Sequence, residues 1–229
     1  MKKWEVVGDK ASIVLLGSFN PRIFHPEWLI NCQIVDSWNY SEETIICVPD
    51  FAQIHLPDSR TLSVYINRFI LESTLASNNL ALADLVTSIF VRLPETPLEK
   101  LGMNYSATIH LRNQESWRNF AKNFAPISPW KEACSYLQSE LTDNREKEIG
   151  LWSITMHFPR PDELNGFLRP KIEVASSENR TLAFSINNHV ELDQVETPEA
   201  MKILSEYWEN SLPIAEQLVE NMMNNQLQD

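Results

Sequence analysis

Five histidines are the residues of this sequence best suited to catalysis or metal binding, and they are scattered singly along it. They are His25, His55, His110, His157 and His189. None belongs to an HExxH motif, and no two have the helical spacing of zinc ligands. The sequence therefore predicts no metal site and no cofactor, although ligands assembled from distant strands stay an alternative.

Candidate nucleophiles lack the sequence context that activates them. Gly17-Ser18 is not followed by the second glycine of a GxSxG turn. Cys47 lies in the apolar run Ile45-Ile46-Cys47-Val48, where cysteine is typically a small buried hydrophobe. The phosphate-binding patterns GxGxxG and GxxxxGK[ST] are absent, and only five glycines occur. We therefore expect no catalytic residue and a protein that is not an enzyme.

One run of polar residues alternates with apolar ones and predicts a surface. In an extended strand Ser185, Asn187, His189 and Glu191 all project from the same side of the sheet. An earlier segment offers Ser63, Tyr65 and Asn67 in the same pattern. The candidate binding residues are Tyr65, Asn67, Ser185, Asn187, His189 and Glu191. A solvated sheet face is the more common explanation of such a pattern; the functional interpretation is a face that docks a protein or lines a shallow pocket.

These two segments belong to a sequence motif that occurs twice. Arg60-Thr61-Leu62-Ser63-Val64-Tyr65-Ile66-Asn67 returns as Arg180-Thr181-Leu182-Ala183-Phe184-Ser185-Ile186-Asn187, with Arg-Thr-Leu and Ile-Asn at identical spacing. Both copies alternate apolar and polar residues and lead toward a helical pattern. The repetition predicts one β-unit used twice.

Each copy reads as the second arm of a hairpin. The first hairpin joins 44–56 to 61–71 through Pro57-Asp58-Ser59, and the second joins 171–175 to 181–192. In the first copy the apolar parity switches after Ile66, which predicts a bulge near Asn67-Arg68. A buried strand over 12–19 and another over 102–111 complete the predicted sheet.

Helices follow the strands. One covers about 82–93 with Asn78 or Asn79 as its cap, and one follows Asn113 with Trp117, Phe120 and Phe124 on one face. Another begins at Ser128-Pro129. The last begins at Thr197-Pro198 and must kink or divide at Pro213. Its predicted apolar stripe consists of Met201, Leu204, Trp208, Leu212, Ala215, Leu218 and Met222.

The expected fold is α+β: an antiparallel sheet built from two pseudo-two-fold related β-units, with helices packed on one face. We expect a single compact domain over 1–229, with halves at about 1–112 and 113–229. The polar run at 142–148 is the expected exposed seam between them.

Charge and cysteine content narrow the partners. The formal charge of −12 repels phosphate backbones and anionic lipid surfaces, so free nucleic acid and membranes are poor candidates. Three cysteines outside any CxxC arrangement argue against a disulfide framework. No stretch has the 18 apolar residues needed to cross a bilayer. We expect a cytoplasmic protein.

Several segments of this sequence resemble those of a sporadically distributed bacterial family of uncharacterised proteins. They include Leu16 to Pro26, the helix with Ile89-Phe90, Glu95 to Asn104, and Asn187-Asn188-His189. The resemblance covers most of the chain and brings no activity, cofactor or catalytic residue with it. By analogy, sporadic distribution favours a defence-associated gene neighbourhood.

Three functions follow from the sequence. The leading hypothesis is a non-enzymatic protein-binding or accessory protein, as part of a bacterial defence or regulatory complex; homo-oligomerisation stays open. The second is a small-ligand binder with an apolar cavity between the sheet and the last helix, lined by Trp and Phe. The third is a hydrolase or nuclease using His189 and nearby carboxylates.

Overall fold

A computed structural model describes residues 2–41, 45–74, 81–126, 128–130, 151–160, 162–193 and 195–226. Ten strands form one sheet within these ranges. In chain order the strands are β1 (Trp4–Gly17), β2 (Ile45–Val48), β3 (Phe51–Leu56), β4 (Arg60–Tyr65), β5 (Arg68–Ser73), β6 (Leu98–Leu111), β7 (Ser153–Thr155), β8 (Phe158–Pro159), β9 (Gly166–Ser176) and β10 (Thr181–Glu191).

The sheet is antiparallel throughout, in the order β2-β3-β4-β5-β1-β6-β10-β9-β7, with β8 also paired to β9. The two 14-residue strands β1 and β6 lie at its centre. β6 pairs with β1 on one side and with β10 on the other. Strands from both predicted halves therefore share one continuous sheet.

Apolar residues alternate along these strands, so one face of the sheet is buried. Along β10, Leu182, Phe184 and Ile186 are each at most 2% exposed, whereas the residues between them are half-buried. The paired registers place Ile13 of β1, Leu71 of β5 and Met103 of β6 on that same buried face. The alternation is the physical origin of the core, because successive side chains in a strand point to opposite faces.

Helices pack on the buried face, and those with bounds in the described ranges are α1 (Pro26–Asn31), α2 (Ala81–Val91), α3 (Gln114–Phe124) and α4 (Thr197–Gln226). Phe90 of α2 contacts Phe69 of β5, with ring centroids 5.1 Å apart. Phe120 of α3 lies 6.3 Å from Phe184 of β10. The expectation of an α+β protein with an antiparallel sheet is confirmed.

The last helix is continuous through Pro213, so the predicted division into two does not occur. Its buried stripe matches the prediction as far as Ala215 and then moves by one position. Val219 and Met223 are buried, while Leu218 and Met222 are half-buried. At about 100° per residue, Val219 and Met223 lie on the same side of the helix as Met201, whereas Leu218 and Met222 are turned about 60–100° away from it.

The predicted bulge near Asn67-Arg68 is wrong, because the chain reverses there. Ile66 and Asn67 form a two-residue turn, and Tyr65 pairs directly with Arg68. The parity switch in the sequence marks this reversal. Pro49-Asp50 likewise divides the first arm of the predicted hairpin into β2 and β3.

The sheet topology does not show the expected two-fold relation. Four steps separate β4 from β10, so the two strands run in the same direction, and Leu62 and Leu182 lie on the same face. Yet their hairpin partners lie on opposite sides: β3 pairs with β4 toward one edge of the sheet, and β9 pairs with β10 toward the other edge. A two-fold axis normal to the sheet would reverse strand direction, and one parallel to the strands would exchange the faces.

Three expectations fall outside the described residues. They are the Asn78 or Asn79 cap, the exposed seam at 142–148, and the helix from Ser128-Pro129 beyond its first residues. The predicted cap of α3 is confirmed, because the Asn113 side chain accepts a hydrogen bond from Ser116 N at 2.7 Å.

We expect Trp208→Ala to lower the free energy of unfolding by about 3–5 kcal/mol, because the side chain is fully buried at the centre of α4. The matched control is Trp152→Ala, whose side chain is 75% exposed; it should change stability by less than about 0.5 kcal/mol. Urea denaturation followed by circular dichroism measures both. Equal losses would contradict the packing of α4 on the sheet.

Candidate functional site

The face of the sheet opposite α1–α4 is the candidate site, and we call it the open face. Its side chains form rows because directly paired residues of adjacent strands point to the same side. The first row is Val48, Phe51, Tyr65, Arg68, Leu16, Lys100 and Glu191. The second row is Ile46, Gln53, Ser63, Ile70, Val14, Gly102, His189 and Phe167.

Five of the six predicted binding residues lie on this face. Ser185, Asn187, His189 and Glu191 alternate along β10 as predicted, and Tyr65 projects from β4. Tyr65 and Glu191 stand in the same row, four strands apart. At the usual strand spacing this separation is about 19 Å, so the two predicted groups do not form one pocket.

Asn67 is the exception. It lies in the turn after β4, and its carbonyl accepts a hydrogen bond from Gly17 N at 3.3 Å. The residue is exposed. Its backbone therefore ties the turn to the end of β1, whereas the other five residues project from strands.

His189 is the centre of a compact cluster, which we call the His189 cluster: Lys100, Phe167, Arg169, His189 and Glu191. His189 Nε2 lies 2.9 Å from Glu191 Oε1, and Lys100 Nζ lies 3.5 Å from the other carboxylate oxygen. The imidazole stacks on Phe167, with centroids 4.4 Å apart and an interplanar angle of 19°. The ring pair holds the imidazole against the sheet, and the residue is only 9% exposed.

The electrostatics of the cluster favour an ionised carboxylate. The hydrogen bond from His189 lowers the pKa of Glu191, and the positive charge of Lys100 lowers it further. Partial burial opposes this shift. At neutral pH Glu191 is therefore a fixed negative charge that is already paired on both oxygens.

A second set of contacts fixes the backbone behind His189. The Arg160 side chain, 4% exposed, donates to Asp162 Oδ1 at 2.8 Å and to the side chain of Asn188. This pairing lowers the pKa of Asp162. A Cβ on Gly166 would lie 2.0 Å from the His189 carbonyl, so only glycine fits there.

Two arginines on the open face lie over aromatic rings. Arg169 Cζ is 4.2 Å from the centroid of Phe167, and Arg68 Cζ is 5.1 Å from that of Tyr65. Arg169 Nη2 also lies 3.4 Å from His157 Nδ1. Both arginines are exposed. Each ring lies against part of its guanidinium, and the planar group carries further N–H donors at its edge.

Sequence reasoning missed Phe167 and Arg169 because it began this strand at residue 171. Pro170 lies inside β9, where its carbonyl accepts a hydrogen bond from Met156 N at 3.0 Å. The signal was present, since Phe167, Arg169, Lys171 and Glu173 alternate with residues of the opposite face. Lys100 lies beside Glu191 because β6 pairs with β10, and this pairing of strands distant in sequence cannot be predicted from a local pattern.

Asn104 is the direct neighbour of Asn187 across the sheet. Its side-chain oxygen is buried, and no hydrogen-bond partner for it is found in the described part of the chain. The amide lies 3.3 Å from the position that a Gly102 Cβ would take. Gly102 thus makes room on the open face for a polar group with unused bonding capacity.

Two depressions lie away from the open face. One, of about 380 Å³, is bordered by Phe19, Phe24 and Pro94. The other, of about 520 Å³, lies where the predicted cavity between sheet and last helix was expected, beside Trp4 and Tyr105. Most of its lining is charged, including Asp9 and Glu216, rather than the expected Trp and Phe. Burial and the charge of Asp9 raise the pKa of Glu216.

Within the described ranges, no group of three or more His, Cys, Asp or Glu side chains is arranged to hold a metal ion. Among the helices in those ranges, none combines the length and apolar character that crossing a membrane requires. No family model and no curated protein matches the chain. The geometry of the open face is therefore the basis for a functional proposal.

We expect His189→Phe to raise the pKa of Glu191 toward its ordinary value, because the variant keeps the ring stacking but removes the hydrogen bond. Because the pKa of Glu191 is lower in the folded state than in the unfolded state, its ionisation stabilises the fold at pH values above the unfolded-state pKa. That stabilisation is lost as the pH falls through the folded-state pKa. Carbon-detected NMR titration of the Glu191 carboxyl measures the change.

His110→Phe serves as the control for this titration, since His110 contacts the Asn179 carbonyl at the far end of the open face. It should leave the Glu191 titration unchanged. An identical Glu191 midpoint in the wild type and in His189→Phe would show that the hydrogen bond does not set the pKa.

Proposed function

We propose that this protein acts without chemistry, by docking another protein on the open face. One observation carries the proposal: within the described ranges α1–α4 pack on one side of a ten-stranded sheet, and the rows on the other side contain many apolar and aromatic residues. An antiparallel sheet can leave one face to solvent, but such a face is usually polar.

The rows mix apolar contact area with charges that are already paired. Val14, Leu16 and Ile70 lie at the centre and are half-buried by their neighbours in the sheet. Aromatic rings flank them on both sides, including the Phe51–Tyr65 pair at 4.7 Å. An apolar centre with aromatic and arginine residues near it is typical of protein interfaces.

The size of the face fits a protein partner. From β2 to β9 the face crosses eight strands, or about 34 Å at the usual spacing, and the four outward residues of β10, from Ser185 to Glu191, extend about 20 Å along the strands. The product, roughly 700 Å², is close to the area that each partner contributes to a standard protein interface. The face is therefore broad enough for a protein. Neither of the two depressions described above lies within its two rows.

One observation favours a second candidate, the hydrolase or nuclease. His189 and Glu191 lie within hydrogen-bonding distance, the arrangement of a histidine general base and its orienting carboxylate. Against this, both Glu191 oxygens are engaged and the imidazole stacks on Phe167. The candidate requires a hydrolytic activity that His189→Phe abolishes.

We place this docking in the cytoplasm. Cys32 and Cys47 are free thiols in the structure, and Cys47 is exposed. Exposed thiols persist in a reducing compartment, whereas secreted proteins usually pair them. The partner proposed here is a cytoplasmic protein of the same host.

We expect Ile70→Lys to abolish recovery of a stoichiometric partner from the native host, because it places a charge at the apolar centre of the open face. The fold should survive, since a lysine there can extend its ammonium to solvent. The matched control is Ile214→Lys on α4, an apolar residue that is 53% exposed on the helical side. Affinity purification with mass spectrometry measures both variants beside the wild type.

Recovery of the same partner by wild type and Ile70→Lys, with equal thermal transitions, would exclude the open face as the docking surface. Recovery of no stoichiometric partner by the wild type would count against the docking function itself.

A further inference from the structure

We infer that the docked partner presents an acidic segment whose carboxylates pair with Arg68 and Arg169. This inference rests on the proposed docking function and specifies the chemistry of the partner. The two arginines are the most distinctive charged groups on the open face, because each is exposed and lies over an aromatic ring; Arg169 Nη2 also lies 3.4 Å from His157 Nδ1.

The open face differs in charge from the rest of the chain. The whole protein carries −12, yet the paired registers place five cations and four carboxylates on this face. The cations are Lys10, Arg68, Lys100, Arg169 and Lys171; the carboxylates are Glu5, Glu72, Glu173 and Glu191. The acidic excess therefore lies elsewhere, and at physiological salt it is screened beyond about 8 Å.

The carboxylates on the face already have cationic partners. Lys10 pairs with Glu72 at 3.1 Å, Lys100 with Glu191 at 3.5 Å, and Lys171 with Glu173. Glu5 pairs with Arg112 at 3.1 Å. Among the described residues, no carboxylate lies within ion-pair distance of Arg68 or Arg169. Both guanidinium groups can therefore pair with a carboxylate from another molecule, although Arg169 Nη2 also contacts His157 Nδ1.

The geometry of each arginine selects carboxylate. A guanidinium stacked on a ring keeps its N–H groups in one plane, and a planar pair of donors matches the two oxygens of a carboxylate. Stacking also restricts the side chain beforehand, which reduces the entropy lost on binding. Two such groups suit a peptide with a few acidic residues and are too few for the phosphates of a nucleic acid.

The separation of the arginines sets the spacing of the carboxylates. Four strand steps and four residues along the strands separate them, or about 23 Å across the face. An extended chain covers about 3.3 Å per residue, so the two acidic residues should stand about seven positions apart. The apolar residues between them would lie over Leu16, Val14 and Gly102.

A random 12-residue peptide library displayed on phage tests the inference on the full chain. Enriched peptides should carry Asp or Glu at two positions about seven apart. Arg169→Gln and Arg68→Gln should each weaken their binding about tenfold, as expected for losing a charged hydrogen-bonded pair. Arg169→Lys keeps the charge without the planar donor pair and should recover only part of the affinity. Arg22→Gln, outside the sheet, is the matched control and should have no effect.

The outcomes separate the two proposals. Peptides that lose binding with Ile70→Lys but show no acidic enrichment and tolerate both arginine variants would overturn the acidic-segment inference and leave the docking function standing. Enrichment of no peptide, or of peptides insensitive to every open-face variant, would overturn both. Tighter binding of a single-stranded 12-nucleotide RNA than of the selected peptides would overturn the inference in favour of nucleic acid.

Discussion

The pairing of β6 with strands from opposite ends of the sequence is the constraint on which the rest of the structure depends. β1 lies on one side of β6 and β10 on the other, and 11 residues of β10 are in register with it. Because side chains alternate along a strand, this register decides which residues are buried and which face outward. A slip of one residue would bring His189 and Asn187 under the helices and expose Phe184 and Ile186.

The same register explains why the open face is ordered enough to carry a site. Rows of side chains exist because each strand fixes its neighbour's position to within one residue. His189 reaches Phe167 on β9, and Glu191 reaches Lys100 on β6, through direct cross-strand pairing. Cross-strand pairs of this kind contribute about 0.2–1 kcal/mol each, so the open face also adds modestly to stability.

Local patterns predicted the elements well and their arrangement less well. The stripe of α2, the Asn113 cap of α3 and the alternation of β10 depend on residues close in sequence, which is why they were readable. Strand order depends on pairing between residues up to 107 positions apart, such as Trp4 with Leu111, and no local pattern encodes it. The repeated motif correctly predicted the second strand of two hairpins, β4 and β10. The sheet topology does not relate these hairpins by a two-fold axis.

The site shows a related limit for arguments from composition. A mean charge of −12 describes the whole chain, yet ligands respond to charge within about a Debye length, roughly 8 Å in physiological salt. The charge of the open face is set by which residues share a strand parity, and parity gathers Lys100, Arg169 and Lys171 on one side. Identical composition with a one-residue shift in β9 would carry Arg169 to the buried face, where an unpaired guanidinium is strongly unfavourable. The charge of the open face is thus a property of the sheet register, and it can be read only once the strands are paired.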